Sequence, residues 1–209
     1  MLQRMIGRQY GRPSGLLGHI IGLKMIRDHL PENLWTITGL HAQPADHILE
    51  IGSGAGYAIS ELARLVPQGR VVGLDRSRTM VRLAGLRNAR AIRRGIVRLQ
   101  HGDATHLPFP DGAFDKVFSI HAIYFWQQPA HVLREIRRVL KPGGTATLTA
   151  LPRERWPGGP DAITNTPEFT AYTGAELRHL MLNGGFRSVT IRADPDHTYR
   201  SNFSIIGMK

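Results

Sequence analysis

Short apolar segments alternate with amphipathic segments through the middle of the chain. The short segments are rich in Val, Ile, Leu and Phe and lie between turn residues, which is typical of buried strands. Strands that alternate with crossover helices predict an α/β protein with a doubly wound, parallel sheet. The predicted strands span residues 47–52, 70–75, 97–103, 114–121 and 145–151, and the predicted helices span residues 57–66, 77–94 with Ser77 as cap, and 129–140.

The two ends of the chain depart from this alternation. Residues 14–30 have the periodicity of an amphipathic helix capped by Ser14, and residues 34–40 predict a second short helix after Pro31. Near the C-terminus, a predicted helix over residues 173–182 precedes two strand-like segments, 188–193 and 199–208, separated by DPDH. This connection is too short for a parallel crossover. We therefore predict an antiparallel hairpin at one edge of a seven-stranded, mostly parallel sheet.

Length and composition predict one domain. The chain has 209 residues, of which 42% are hydrophobic and 21% charged, and these values are ordinary for a globular protein with a full core. Within it, we expect residues 1–40 to form a helical lid. Residues 152–172 contain four prolines and little periodicity, which predicts a loop over the site.

The absence of cysteine limits the possible chemistry. A chain with no cysteine has no disulfide, no thiolate nucleophile and no cysteine metal site, and we predict no metal ligands. Its apolar stretches are too short for a membrane helix, and the N-terminal LLGHIIGL lacks a signal-peptide cleavage pattern. The sequence therefore predicts a cytoplasmic protein.

The chain is strongly basic, and the charge is uneven. The net charge is +11, and eight arginines lie between Arg76 and Arg98 without an acidic residue. Such a stripe attracts nucleic acid, anionic lipid or acidic small molecules. A solvated helix face in an arginine-rich protein explains the same pattern, so both interpretations stay open.

The segment HILEIGSGAGYAISELARLVPQGRVVGLD, residues 47–75, carries the clearest chemical signal. Glycines 52, 54 and 56 allow a sharp turn at the end of the first strand, where the backbone can approach a ligand without intervening side chains. Asp75 ends the next strand and can accept hydrogen bonds from a ribose diol, because ligands of open α/β sheets bind at the carboxyl ends of the strands. The pattern therefore predicts a ribose-bearing ligand.

The glycine spacing distinguishes between classes of ribose ligand. The dinucleotide fingerprint G-x-G-x-x-G needs a third glycine where this chain has Tyr57. The spacing is G-x-G-x-G instead, with Glu50 two residues before it. Together with LEIGSGAG, VVGLDRSRTM, HGDATHLPFPDGAFDKV and REIRRVLKPGG, it resembles the class I S-adenosylmethionine-dependent methyltransferases, in particular the type 11 domain that includes quinone-biosynthesis enzymes. The motifs cover about residues 46–151.

This resemblance implies a Rossmann-like sheet of strand order 3-2-1-4-5-7-6 and S-adenosylmethionine as cofactor, with S-adenosylhomocysteine as product. By resemblance, the glycine loop holds the methionine part, Asp75 the ribose, Met80 and Asp103 the adenine, and the backbone at Ser119 and Ile120 the sulfonium side. Met80 also fits a core residue, and Asp103 a turn residue. Asp115 and KPGG are interpreted as structural, the latter as a turn. The expected cofactor contacts are Glu50, Gly52, Ser53, Gly54, Gly56, Asp75, Arg76, Met80, Gly102, Asp103, Ala104, Ser119 and Ile120.

Candidate catalytic residues follow the fourth predicted strand, in SIHAIYFW. Methyl transfer is an in-line displacement in which the protein mainly aligns the acceptor, so no catalytic side chain is obligatory. The ordinary pKa of a histidine suits a base at His121, although His121 could instead hydrogen-bond a neighbouring loop. Tyr124 is the second catalytic candidate, and Tyr124, Phe125 and Trp126 form either a pocket wall or part of the core.

The N-terminal segment RQYGRPSGLLGHIIG supplies further candidates. In the resembled family, a helix before the first strand closes over the cofactor and shapes the acceptor pocket. Arg12 is placed to pair with the methionine carboxylate, and Tyr10 and His19 to face the acceptor. With Trp126, these are the predicted substrate contacts. An arm that packs on a second subunit, giving a homodimer, explains the same segment.

Four functions therefore compete. A small-molecule methyltransferase is favoured by the compact domain and the aromatic candidates. An RNA or protein methyltransferase is favoured by the arginine stripe, but the chain lacks the [DN]-P-P-[YFW] motif that holds an exocyclic amine. An NAD-dependent oxidoreductase is disfavoured by Tyr57, and a binding module without turnover stays open.

Overall fold

The computed structural model describes residues 15, 29–156, 169–193 and 202–209. Seven strands form one sheet of order β3-β2-β1-β4-β5-β7-β6, as the sequence predicts. Five of the strands lie before residue 151 and two near the C-terminus. They are β1 (His47–Ile51), β2 (Arg70–Asp75), β3 (Val97–His101), β4 (Phe114–Ile120), β5 (Leu140–Ala150), β6 (Val189–Ala193) and β7 (Phe203–Met208).

The sheet is parallel except at β7. Strands β1 to β5 pair in parallel through β1–β2, β1–β4, β2–β3 and β4–β5. β7 pairs antiparallel with β5, with Thr145 opposite Met208, and with β6, with Ala193 opposite Phe203. The predicted C-terminal hairpin at the sheet edge is therefore confirmed.

Helices cover both faces of the sheet. Because a parallel sheet is buried on both sides, neighbouring residues of β1 enter different cores: Ile48 packs with Ile59 and Leu62, whereas Leu49 packs with Leu133 and Ile136. The helices are α1 (Leu30–Gly39), α2 (Tyr57–Leu65), α3 (Arg78–Arg87), α4 (Ala89–Arg93), α5 (Pro129–Val139) and α6 (Gly174–Asn183).

Two helix predictions differ from the structure. α1 begins at Leu30 instead of residue 34, because Pro31 occupies its first turn, where a missing N–H costs nothing. The single helix predicted over residues 77–94 is two helices, since Asn88 turns its side chain back to donate to the carbonyls of Gly56 and Ala84. Ser77 caps α3 through Met80 N, as predicted. Most of the helix predicted over residues 14–30 lies outside the described residues.

The KPGG segment is more than the predicted turn. It belongs to β5, with a register shift between Phe114 and Lys116 of the neighbouring strand. Lys141 Nζ lies 2.8 Å from both carboxylate oxygens of Asp115, which also accepts from His47 N at 2.8 Å. Asp115 thus links the amino ends of β1, β4 and β5 through hydrogen bonds, which confirms its structural role.

None of the helices in the described parts of the chain combines the length and apolar character needed to cross a bilayer.

Candidate active site

Three of the five residues in the turn between β1 and α2 are glycines. Gly52, Gly54 and Gly56 all have positive φ angles, of 76°, 50° and 76°, a region that favours glycine. A Cβ on Gly52 would lie 2.6 Å from Ala122 Cβ, and one on Gly56 would lie 2.8 Å from Ala84 Cβ, whereas among the described residues one on Gly54 would meet nothing within 4 Å. Packing therefore fixes both ends of the turn, and no described residue fills the space at its centre.

The Asp75 carboxylate lies directly against this turn. Its Oδ2 accepts from Gly54 N at 2.8 Å, and its Oδ1 accepts from Ser77 N at 2.8 Å. The side chain is 8% exposed, and burial raises the pKa of its carboxyl above the ordinary value despite these two hydrogen bonds. The acid predicted from the end of the second strand thus reaches the glycine turn.

A second carboxyl group is buried beside the first. Glu50 is 3% exposed, and among the described residues its Oε2 has no hydrogen-bond partner. Burial and the negative charge of Asp75 hold the pKa of Glu50 well above its ordinary value. The hydroxyl of Ser53, also buried, is unsatisfied within the same part of the structure. Buried polar groups normally have partners, so these two atoms favour a polar ligand at the turn.

The ends of β2 and β3 form the neighbouring border. Gly102 N donates to the carbonyl of Asp75 at 3.1 Å, which joins the two strand ends. Asp103 is exposed, and its Oδ1 accepts from the N–H and the hydroxyl of Thr105. Met80 is only 2% exposed and packs with Ala55 and Leu83. The adenine contacts expected of Met80 and Asp103 stay predictions, as do the cofactor contacts expected of Ala104 and Arg76, which are both half-buried.

The end of β4 lies on the other side of the turn. Ser119 donates its hydroxyl to Ile51 O at 2.9 Å, so that side chain is occupied in holding β4 to β1 and only its backbone is available for the predicted contact. Ile120 is half-buried against the core. His121 has a φ of 54°, a conformation that is uncommon outside glycine and that often marks functional positions.

His121 is held from several directions. Its backbone N–H donates to Thr149 O at 2.9 Å, and its ring Nδ1 lies 3.2 Å from the hydroxyl of Tyr124. Two residues of α1 and the turn before it, His29 and Glu32, complete its surroundings: the His29 and His121 rings lie 4.7 Å apart, and one ligand atom from each of the three residues lies within 4.8 Å of the others.

Tyr124 is the centre of an aromatic cluster. It is 4% exposed, its hydroxyl accepts from Leu151 N at 2.5 Å, and burial raises the pKa of its phenol, which stays neutral near pH 7. The rings of Phe125, Trp156 and Phe169 lie 5.2–6.3 Å from it. Trp126 is half-buried against the main core. The catalytic role of Tyr124 and the substrate role of Trp126 stay predictions.

Comparison with known proteins decides the family. A family model described as a methyltransferase domain matches residues 49–148. An uncharacterized methyltransferase of Bacillus subtilis, YdaC, is 32% identical over 173 residues, which cover 83% of this chain and 89% of YdaC. The chain belongs to this methyltransferase family.

Two further similarities agree with the family assignment. A demethylmenaquinone methyltransferase of Symbiobacterium thermophilum is 39% identical over 105 residues, 50% of this chain and 42% of that protein, so this chain matches less than half of that relative. A crystal structure of a SAM-dependent methyltransferase from Aquifex aeolicus has the same fold, with a TM-score of 0.69 and 20% identity over 84% of this chain and 88% of that one. S-adenosylmethionine is the cofactor.

The site of this methyltransferase fits that cofactor. The open centre of the glycine turn accommodates an approaching ligand, and the orphaned oxygen of Glu50 suits a cationic or N–H-bearing group. Asp75 retains lone pairs beyond the two that its backbone donors use. Of the residues predicted from sequence, the structure brings together Glu50, Ser53, the three glycines and Asp75.

Two groups of residues remain: predicted residues that the structure does not describe, and site residues that the sequence did not predict. Tyr10, Arg12 and His19 lie outside the described residues. The sequence did not predict His29 and Glu32, because their H-x-x-E spacing indicates two groups on one helix face only once α1 is known to begin at Leu30. It also missed Trp156 and Phe169, which only the fold brings to Tyr124.

Proposed function

We propose that this methyltransferase transfers a methyl group to a small-molecule acceptor that binds between the glycine turn and the end of β4. The observation that carries the proposal is the setting of His121. This residue has a left-handed backbone conformation and directly precedes the residue that packs on Gly52. Its side chain is adjacent to a buried aromatic cluster. A small aromatic or hydroxylated acceptor fits these surroundings better than a polymer does.

When bound, S-adenosylmethionine supplies the methyl group and a positively charged sulfonium leaving group. The protein's own residues orient the reactants and exclude water, effects worth about 7–11 kcal/mol in well-aligned systems. Glu50, Ser53 and Asp75, with the backbone of the glycine turn, hold the cofactor. His121 contacts the acceptor, and Tyr124 orients His121 through its neutral hydroxyl.

Relatives support an aromatic acceptor. Curated relatives include the demethylmenaquinone methyltransferase and a 2-phytyl-1,4-naphtoquinone methyltransferase from Synechococcus elongatus, 35% identical over 113 residues. Both names describe ring substrates. We test the acceptor class with methyl-labelled S-adenosylmethionine, offering the protein a reduced quinone, a simple phenol, bulk RNA and bulk protein. Label in an organic-extractable product supports the proposal, and label confined to a polymer contradicts it.

Replacing His121 by asparagine should lower kcat by about a hundredfold, the scale of displacing an acceptor by about 1 Å. Asparagine tolerates the left-handed backbone, so the variant removes the imidazole without new strain. Calorimetry with S-adenosylhomocysteine should give an unchanged Kd. His41→Asn is the matched control, because His41 has a similar φ of 48° and lies exposed beyond α1. A wild-type rate in His121→Asn would exclude His121 from the acceptor site.

An RNA or protein acceptor is the second candidate, because the arginine stripe is solvent-exposed. Of the eight arginines from Arg76 to Arg98, all but the half-buried Arg76 are exposed. If the stripe binds RNA, the Kd for a duplex RNA should rise steeply with salt, since each phosphate contact contributes a slope of about 0.7–0.9 to log K against log salt. We expect binding that is weak at physiological salt. Tight binding there, lost in Arg90→Gln/Arg94→Gln, would favour the polymer acceptor.

A further inference from the structure

Three potential metal ligands from distant parts of the chain meet beside the glycine turn. They are His29 and Glu32 at the start of α1 and His121 at the end of β4. Glu32 has a side chain that is 1% exposed, and His29 one that is 29% exposed. We infer that His29, Glu32 and His121 form a binding site for a divalent transition-metal ion of the zinc or cobalt type.

Local structure brings the first two ligands together. His29 precedes α1 and Glu32 lies three residues later, so both side chains lie on one face of the first turn. His29 Nδ1 lies 3.7 Å from Glu32 Oε1.

One residue of β5, Thr149, positions the third ligand relative to the other two. Its carbonyl accepts from His121 N at 2.9 Å, and its hydroxyl lies 2.8 Å from that of Thr36 on α1 and 2.8 Å from that of Ser204 on β7. These hydroxyls are buried, with their residues at most 2% exposed. α1 and His121 are thus fixed to the same point of the sheet.

The geometry suits a small ion that has both nitrogen and oxygen ligands. The three ligand atoms lie within 4.8 Å of one another, whereas tetrahedral zinc with bonds of about 2.0–2.2 Å holds its ligands about 3.3–3.6 Å apart. Ion binding therefore requires side-chain rotations that bring the three ligand atoms closer together. Two imidazoles and one carboxylate favour zinc, cobalt or iron over magnesium or calcium, which prefer all-oxygen sites.

A site with three protein ligands leaves a coordination position open, as catalytic zinc sites do. Ala122, the residue after His121, packs against Gly52, so the open position lies on the border of the cofactor turn. An oxygen-bearing acceptor, such as a phenol or hydroxyquinone, is a suitable fourth ligand. This substrate role rests on the proposed function, whereas metal binding itself does not.

Metal binding is tested on the full chain, free of any affinity tag, by titration with Co²⁺ and Zn²⁺. Co²⁺ should give visible d–d absorption at one equivalent, and calorimetry should give one Zn²⁺ per chain. His29→Ala, Glu32→Gln and His121→Asn should each raise the Kd for Zn²⁺ more than tenfold, since losing even an outer partner of a ligand costs about 10–100-fold. His41→Asn should leave this Kd unchanged.

Three outcomes would overturn the inference: no stoichiometric binding of either ion, equal binding by the three variants, or a Co²⁺ spectrum of a hexa-aqua ion. Any of these outcomes would mean that the three residues form a hydrogen-bonded His–Glu–His group and not a metal site. The labelled methyl-transfer assay on the same wild-type sample separates this failure from a failure of the proposed function, because label in an organic-extractable product supports that function whether or not an ion binds.

Discussion

Replacing Glu50 by glutamine should stabilise the ligand-free protein and at the same time weaken cofactor binding. The fold buries this carboxyl and raises its pKa through burial and the charge of Asp75. A raised pKa in the folded state gives stability that is fully present below the unfolded pKa of about 4.3 and is lost as the pH rises through the folded value. Glutamine does not ionise, so at neutral pH the variant avoids this loss of stability.

The expected gain is about 1–3 kcal/mol, the cost of an unsatisfied buried polar group, or a rise in Tm of about 2–12 °C for a domain of this size. The gain should disappear near pH 4, where wild type is also protonated. The Kd for S-adenosylmethionine should rise about 10–150-fold, as expected for one lost hydrogen bond to a charged group.

Glu61→Gln is the control, since Glu61 lies on α2 in a surface pair with Arg64, and such pairs contribute little. Differential scanning calorimetry from pH 4 to 8 and isothermal titration measure the two effects. A lower Tm in Glu50→Gln would show that the carboxylate has an ionic partner in the fold, and an unchanged Kd would exclude it from the cofactor site.

Replacing Asp75 by alanine should have the second large effect. The variant removes the acceptor of Gly54 N and Ser77 N, both at 2.8 Å, and with it the predicted hydrogen bonds to the ribose diol. Each bond to a charged group is worth about 1.5–3 kcal/mol, so we expect the Kd for S-adenosylhomocysteine to rise at least tenfold.

A ligand series separates loss of the ribose contact from distortion of the turn. The 2′-deoxy and 3′-deoxy analogues of S-adenosylhomocysteine should bind wild type more weakly than the parent compound, and the difference should vanish in Asp75→Ala. Asp46→Ala is the matched control, because Asp46 also accepts a backbone N–H, from Gln43, but lies before β1 at the opposite end of the strand. Persistence of the analogue difference in Asp75→Ala would place the ribose elsewhere.

Local sequence patterns predicted those features of the fold and the site that depend only on short stretches of chain. The glycine turn needs left-handed backbone conformations at three alternate positions, and Asp75 lies at the end of an apolar strand, so both were predictable before any tertiary contact was known. The reversed β7 followed from the shortness of the connection before it. These features predict a mostly parallel sheet with a reversed edge and the cofactor side of the site, whereas the strand order came from the family resemblance.

Contacts between distant segments could not be predicted in the same way. The division between α3 and α4 arises because Asn88 reaches Gly56, 32 residues earlier. The meeting of Glu32 with His121 depends on how α1 packs on β4 and β5, and apolar periodicity does not specify that packing. Helical spacing likewise cannot tell a core tyrosine from a pocket wall, which is why the surroundings of Tyr124 required the structure.

The hydroxyl chain through Thr149 has a direction. Thr36 Oγ1 donates to Glu32 O at 2.7 Å, and because a hydroxyl has only one proton, Thr36 must accept from Thr149, which in turn accepts from Ser204. The proton donor at the head of this hydroxyl chain therefore lies in β7. Through Thr149, the packing of α1 beside the active site is therefore coupled to β7, the strand that pairs antiparallel with β5.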